Sequence, residues 1–119
     1  HHNNPQIFNY IDKFLNLDVG SQYIAGRTPK LFYMWGHSFE FEHRQNWDHL
    51  ENICQKLSGH DDVWYATNME IYRYCRSFSR LKYSADGKTI YNPTADKLWL
   101  RDGVKGDVFS INPGETVKR

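Results

Sequence analysis

Three side chains with proton or sugar chemistry stand close together in this chain: Trp35, His37 and Glu40. An imidazole titrates near neutral pH, so His37 can carry a proton to or from a reacting group. Glu40 and Glu42 share one face if this stretch is extended, and paired carboxylates do acid–base work where their surroundings differ. Glu40 is the better placed of the two, and Trp35 beside His37 offers a flat ring on which a sugar can stack. His37, His43 and His49 recur every six residues. Zinc needs three or four ligands converging on one point, and that spacing does not bring these three together; solvated histidines are expected. His1 and His2 can take up a metal adventitiously, but no metal-ligand set is expected.

These residues need a frame. Leu31-Phe32-Tyr33-Met34-Trp35 is an unbroken apolar run that stops at Gly36-His37-Ser38. It reads as a strand buried on both faces, as in a parallel sheet. Ligands bind such sheets at the carboxyl ends of the strands, which is where His37 falls. Val63 to Thr67 reads as a second strand of the same kind. Ahead of the first, Asn4-Pro5 opens a helix with the stripe Ile7, Phe8, Ile11, Phe14 and Leu15. Asp18 to Pro29 is a loop, and Phe39 to Glu42 alternates as a short extended segment or loop. A second helix follows Asn46, with Trp47, Leu50, Ile53, Cys54 and Leu57 on one stripe and Ser58-Gly59 at its end. A third follows Asn68, with Ile71, Tyr74, Cys75 and Phe78 inward.

Residues 31–78 thus read strand, helix, strand, helix, the pattern of a parallel sheet. From Arg80 onward the character changes. Residues 81–84, 88–91, 97–100 and 108–111 read as short strands, separated by Asp86-Gly87, Asn92-Pro93 and Asp102-Gly103, with Pro113-Gly114 beyond the last. The expected class is α/β, divided into residues 1–79 and an antiparallel β extension over 80–119. Two parallel strands cannot cover both of their own faces, and a complete eight-stranded barrel takes about 250 residues. Either the carboxyl-terminal strands join these two in a mixed sheet, or the 119 residues are one piece of a larger fold, whose open strand edge invites self-association.

Charge narrows the function classes. Lys plus Arg is 15 against 14 for Asp plus Glu, and neither sign forms a long run. Nucleic acid and anionic membranes have no electrostatic footprint here. No apolar run approaches the ~20 residues of a bilayer span. The opening His-His-Asn-Asn carries no secretory signal and no methionine, as a processed end, a tag remnant or a cut would. Two cysteines make no disulfide framework; Cys54 and Cys75 read as buried free thiols, and the compartment stays open.

The stretch from Leu31 to Phe41, with Trp35-Gly36-His37-Ser38 at its centre, resembles the late-strand histidine segment of polysaccharide deacetylases of the NodB-homology type, a class of carbohydrate esterase. Asp61-Asp62-Val63-Trp64-Tyr65-Ala66-Thr67-Asn68-Met69-Glu70 is similar to their last barrel strand and the helix after it. Ser84-Ala85-Asp86-Gly87 and Tyr91-Asn92-Pro93 resemble a β extension found in one branch, and His1-His2-Asn3-Asn4 a segment ahead of the preceding helix.

The resemblance implies a partial (β/α) barrel, its last two strand–helix units, followed by the antiparallel extension. It implies a metal-dependent hydrolase that removes acetyl groups from N-acetylated sugars, with His37 as the acid that protonates the departing amine. Trp35 and Glu40 become substrate-binding candidates. In the complete family enzyme a divalent metal, usually zinc, is held by an Asp and two His of early strands, beside an Asp base. No His-x-x-x-His pair and no upstream Asp-Asp occurs here. The expectation is a carboxyl-terminal portion without metal ligands or base, inactive alone, whose partner in the complete enzyme is an acetylated polysaccharide. The alternative is a non-catalytic carbohydrate-binding or protein-interaction module, favoured by the aromatic share of 16%.

Overall fold

A computed structural model describes residues 1–18, 29–103 and 106–119. It is mixed α/β: among the described residues four helices, α1 (Ile7–Leu15), α2 (Ser38–Arg44), α3 (Trp47–Leu57) and α4 (Asn68–Phe78), precede five short strands. The strands are β1 (Lys82–Tyr83), β2 (Thr89–Tyr91), β3 (Leu98–Arg101), β4 (Val108–Ile111) and β5 (Thr116–Lys118). The chain forms two compact units, His1–Val63 and Trp64–Arg119, so α4 groups with the sheets. No described helix is long and apolar enough to cross a membrane.

In the first unit Ile7 and Ile11 of α1 meet Ile53 of α3, and Phe8, Leu15, Phe32, Met34 and Leu57 close around them. The helical spacing of the first stripe is what aims Ile7 and Ile11 at one point. The run 31–35 contributes only alternate residues to this core. Phe32 and Met34 are partly buried against it, while Leu31, Tyr33 and Trp35 are exposed. That is the two-sided alternation of an extended chain, yet neither 31–35 nor 63–67 belongs to a strand ladder. The two expected parallel strands are therefore corrected: a ladder needs a neighbour, and neither run has one among the described residues. The barrel the resemblance implies is not closed here.

Three further expectations change. Residues 39–42 are helical in α2, because alternation over four residues is too short to separate a strand from a helix. Cys54 and Cys75 are exposed free thiols rather than buried ones. Each lies at the margin of its stripe, and the small cores take in Ile53 and Leu57 of α3 and Tyr74 of α4. Helix α4 is capped by Thr67, one residue before Asn68. The loop expected over Asp18 to Pro29 falls largely outside the described residues.

That cap is a reciprocal box. Glu70 N–H donates to Thr67 Oγ1 at 3.3 Å, and Glu70 Oε2 accepts from Thr67 N–H and Oγ1–H, each at 2.7 Å. These bonds, the backbone one first, hold the Glu70 carboxyl below its ordinary value of 4.5. A depressed carboxyl stabilises the fold above its unfolded pKa, and the contribution is lost as pH falls through the folded value. Glu70→Gln keeps the box geometry without the titration. Its melting temperature should therefore fall less steeply than the parent's on acidification below about pH 4.5. Thermal melts of both proteins over that range check this, and parallel curves refute it.

The second unit holds two antiparallel sheets where the sequence suggests one, in the orders β1-β2-β5 and β3-β4. Four strands fall where the turn signals place them. Gly87 (φ 70°) and Gly114 (φ 71°) take the left-handed backbone those turns need. The fifth, Thr116–Lys118, has a single apolar residue and gave no pattern, yet Val117 pairs with Ile90. Leu81, Ile90, Leu98 and Ile111 form the core, covered by Tyr74, Leu100, Phe109 and Val117.

Candidate functional site

Gly36 and His37 end the extended run, and α2 starts at the next residue. His37 is the N-cap, in extended backbone (φ −115°, ψ 136°), and its side chain makes no cap bond. Glu40 therefore lies three residues on, in the first helical turn, where a carboxylate is favoured by the helix dipole. Its Oε1 is 2.9 Å from His37 Nδ1. The bond fixes the tautomer: Nδ1 carries a proton donated to Glu40, and Nε2 is left without a partner among the described residues. The His37 side chain is 59% exposed, so a substrate can reach Nε2.

The opening residues complete the cluster. Helix α1 runs antiparallel to the extended segment: Phe14 meets Phe32 with ring centroids 5.5 Å apart, and His2 N–H donates to the Trp35 carbonyl at 3.2 Å. His1, His2 and Asn3 thus arrive at the end where His37 sits. His2 is 2% exposed. Its ring lies 4.1 Å from that of Phe41 and 4.4 Å from that of His1, and its carbonyl accepts from His49 Nε2 at 3.0 Å. Against its other flank lies Gly36, where a Cβ would come within 1.9 Å of His2 Cδ2. Only glycine leaves room for the imidazole.

Glu40 is the hub. Besides His37, its carboxylate takes His2 Nε2 at 3.0 Å, His1 Nε2 at 3.2 Å and Asn3 Nδ2 at 2.9 Å. Two carboxylate oxygens offer about four acceptor positions, so the group is saturated. The His37 hydrogen bond, the largest influence, holds the Glu40 carboxyl below its ordinary 4.5; the His2 charge and hydrogen bond add to it, against partial desolvation. Glu40 is therefore ionised at neutral pH, which is the state that orients four donors.

Of the sequence candidates, Trp35, His37 and Glu40 are brought together. Trp35 is 55% exposed, edge-on to His1 (4.8 Å) and His37 (6.3 Å), and walls the cluster. Glu42 is separated from Glu40, since two helical residues are about 200° apart around the axis. It accepts from Trp47 Nε1 at 2.9 Å, a structural contact. His43 packs on Phe39 and His49 holds His2, so His37, His43 and His49 do not converge. His49 is half-buried rather than solvated. Of the cluster's other members, the sequence offered His1 and His2 only as adventitious metal binders, and neither they nor Asn3 were expected to meet Glu40. The available signal was the apolar stripe of α1, which fixes where the residues just ahead of it must lie.

Compared with known proteins, the chain matches no family model, and no curated protein or solved structure is significantly similar to it.

Proposed function

We propose that this chain is the carboxyl-terminal portion of a polysaccharide deacetylase-like hydrolase, with His37 as the general acid of N-deacetylation. The supporting observation is the His37–Glu40 pair at 2.9 Å, which presents an oriented, exposed imidazole. In this reading His37 Nε2 protonates the departing amine nitrogen as the acetyl carbon–nitrogen bond breaks, while Glu40, a positioning residue, steadies the imidazolium. The exposed Trp35 face beside it receives a sugar ring. Leu31, Tyr33 and Trp35, exposed opposite the helix-covered face, suit a strand whose neighbours lie in the rest of a barrel. The Asp and two His expected to hold the family's metal have no counterparts here, so no step is assigned to that metal.

Acetate release from an N-acetylated oligosaccharide by the complete enzyme tests the reading. His37→Ala should lower kcat by about 100- to 10,000-fold, the worth of a positioned general acid, with little change in melting temperature. Glu40→Gln should lower kcat while leaving KM near the parent value. An unchanged rate in His37→Ala overturns the assignment.

A second reading rests on the exposure of Trp35, Trp64 and Trp99. A non-catalytic carbohydrate-binding module would bind the same oligosaccharide by calorimetry and release no acetate.

A further inference from the structure

We propose that His1, His2 and Glu40 form a divalent-metal site of the zinc type, distinct from the metal the family resemblance implies and independent of the deacetylase reading. Among the described residues this is the group of three His, Cys, Asp or Glu side chains whose ligand atoms converge, all within 4.8 Å of one another. His1 Nε2 and His2 Nε2 stand 3.2 and 3.0 Å from Glu40 Oε2. Zinc bonds to nitrogen and carboxylate oxygen at about 2.0–2.2 Å, so neighbouring ligands of a tetrahedral ion are about 3.3 Å apart. The two His–Glu spacings already match that edge; the two imidazole nitrogens, within 4.8 Å of each other, must close toward it by up to about 1.5 Å when an ion binds. Two histidines and one glutamate are also a donor set of catalytic zinc sites, which leave a fourth position for water.

The cluster is built rather than accidental in the first unit. The His2 ring is buried between Phe41 and His1, against a glycine. Its backbone is tied at N–H to Trp35 and at the carbonyl to His49. Asn3 Nδ2 donates to Glu40 Oε2 and can go on doing so as an outer partner of the ligand, the kind of support metal sites use. Oε1 remains with His37, which places the exposed imidazole beside the ion without making it a ligand.

Protons must rearrange. Asn3 N–H now donates to His1 Nδ1 at 3.2 Å, so His1 Nε2 carries the ring proton. An ion on Nε2 moves that proton to Nδ1 and releases the Asn3 amide to water at an exposed position. His2 Nε2 exchanges its hydrogen bond to Glu40 for a bond to the metal, and its proton passes to Nδ1, which is buried and has no hydrogen-bond partner among the described residues. Binding therefore breaks the Asn3 N–H bond to His1 Nδ1 and the hydrogen bonds of both Nε2 atoms, the 3.3 Å contact of His2 Nε2 with Asn3 Nδ2 included.

Titration with Zn²⁺, and with Co²⁺ as a visible probe, tests the site. One equivalent should bind, and Co²⁺ should show the intense visible bands of a four-coordinate ion. In ¹H–¹⁵N imidazole spectra the resonances of His1 and His2 should move, and those of His43 and His60 should not. Glu40→Gln and His2→Ala should each weaken zinc binding by about 100-fold or more, beyond the 10–100-fold typical of losing an outer partner. His43→Ala should bind as the parent does. If His1 and His2 chelate adventitiously by themselves, Glu40→Gln will retain its affinity, and the proposal fails. Weak six-coordinate Co²⁺ bands, or movement of the other histidines, overturns it even if a variant does not fold. His37→Ala separates the two assignments, since it should keep zinc binding in this chain while losing acetate release in the complete enzyme.

Discussion

Gly36→Ala should destabilise the amino-terminal unit by about 3 kcal/mol, at the upper end of overpacking costs. The backbone at Gly36 is not among the left-handed glycines, so the cost is steric. The new methyl would lie 1.9 Å from His2 Cδ2 and 2.5 Å from Nε2. Either the segment 35–37 moves or the His2 ring leaves its place. Moving the ring breaks the Glu40 bond at 3.0 Å and the contact with Phe41, and moving the segment disturbs the bond from His2 N–H to the Trp35 carbonyl. Urea denaturation measures the loss. A double-mutant cycle identifies its source: in a His2→Ala background the ring is gone, and Gly36→Ala should cost under about 1 kcal/mol. A single substitution within about 0.5 kcal/mol of the parent, the range of ordinary surface changes, would refute the packing account.

Asn92→Ala should cost the carboxyl-terminal unit about 3–4 kcal/mol, because it strands several buried polar groups at once. Asn92 is fully buried. Its Nδ2 donates to the carbonyls of Asp96 (2.8 Å), Ile111 (3.1 Å) and Asn112 (3.2 Å), and its Oδ1 accepts from Thr94 N–H (3.0 Å) and Oγ1–H (2.7 Å). One amide thus ties the turn after β2 to the end of β4. Asn92→Asp should be at least as damaging at neutral pH, since it points a carboxylate oxygen at three carbonyls. Denaturant melts of both variants check the ranking. A loss below about 1 kcal/mol in Asn92→Ala would show that water replaces the amide.

Both residues were visible in the sequence for other reasons. Gly36 reads as the end of an apolar run and Asn92-Pro93 as a turn. Their neighbours, His2 and Ile111, are distant in the chain, and no local pattern reports such a meeting. Local chemistry was more legible. The stripe Ile7, Ile11 and the inward Ile53 are in the first core as their spacing implies, and the strands at 82–83, 89–91, 98–101 and 108–111 lie between the turns that bound them. The capping box Thr67-x-x-Glu70 was present in the sequence and outweighs the lone Asn68 as a start signal.

By itself the sequence determined which segments are helical or extended over most of the chain, because hydrophobic periodicity and turn residues act within a few positions. It determined that His37 closes an apolar run, and hence that an imidazole stands at its end. Only the tertiary structure decided that residues 31–35 and 63–67 have no ladder partner among the described residues, since hydrogen bonding between strands depends on what lies alongside. Only the tertiary structure decided that Glu40 turns back to His37 and gathers His1, His2 and Asn3. A helix rather than a strand at 38–44 sets the direction of that carboxylate, and the packing of α1 delivers the donors it holds.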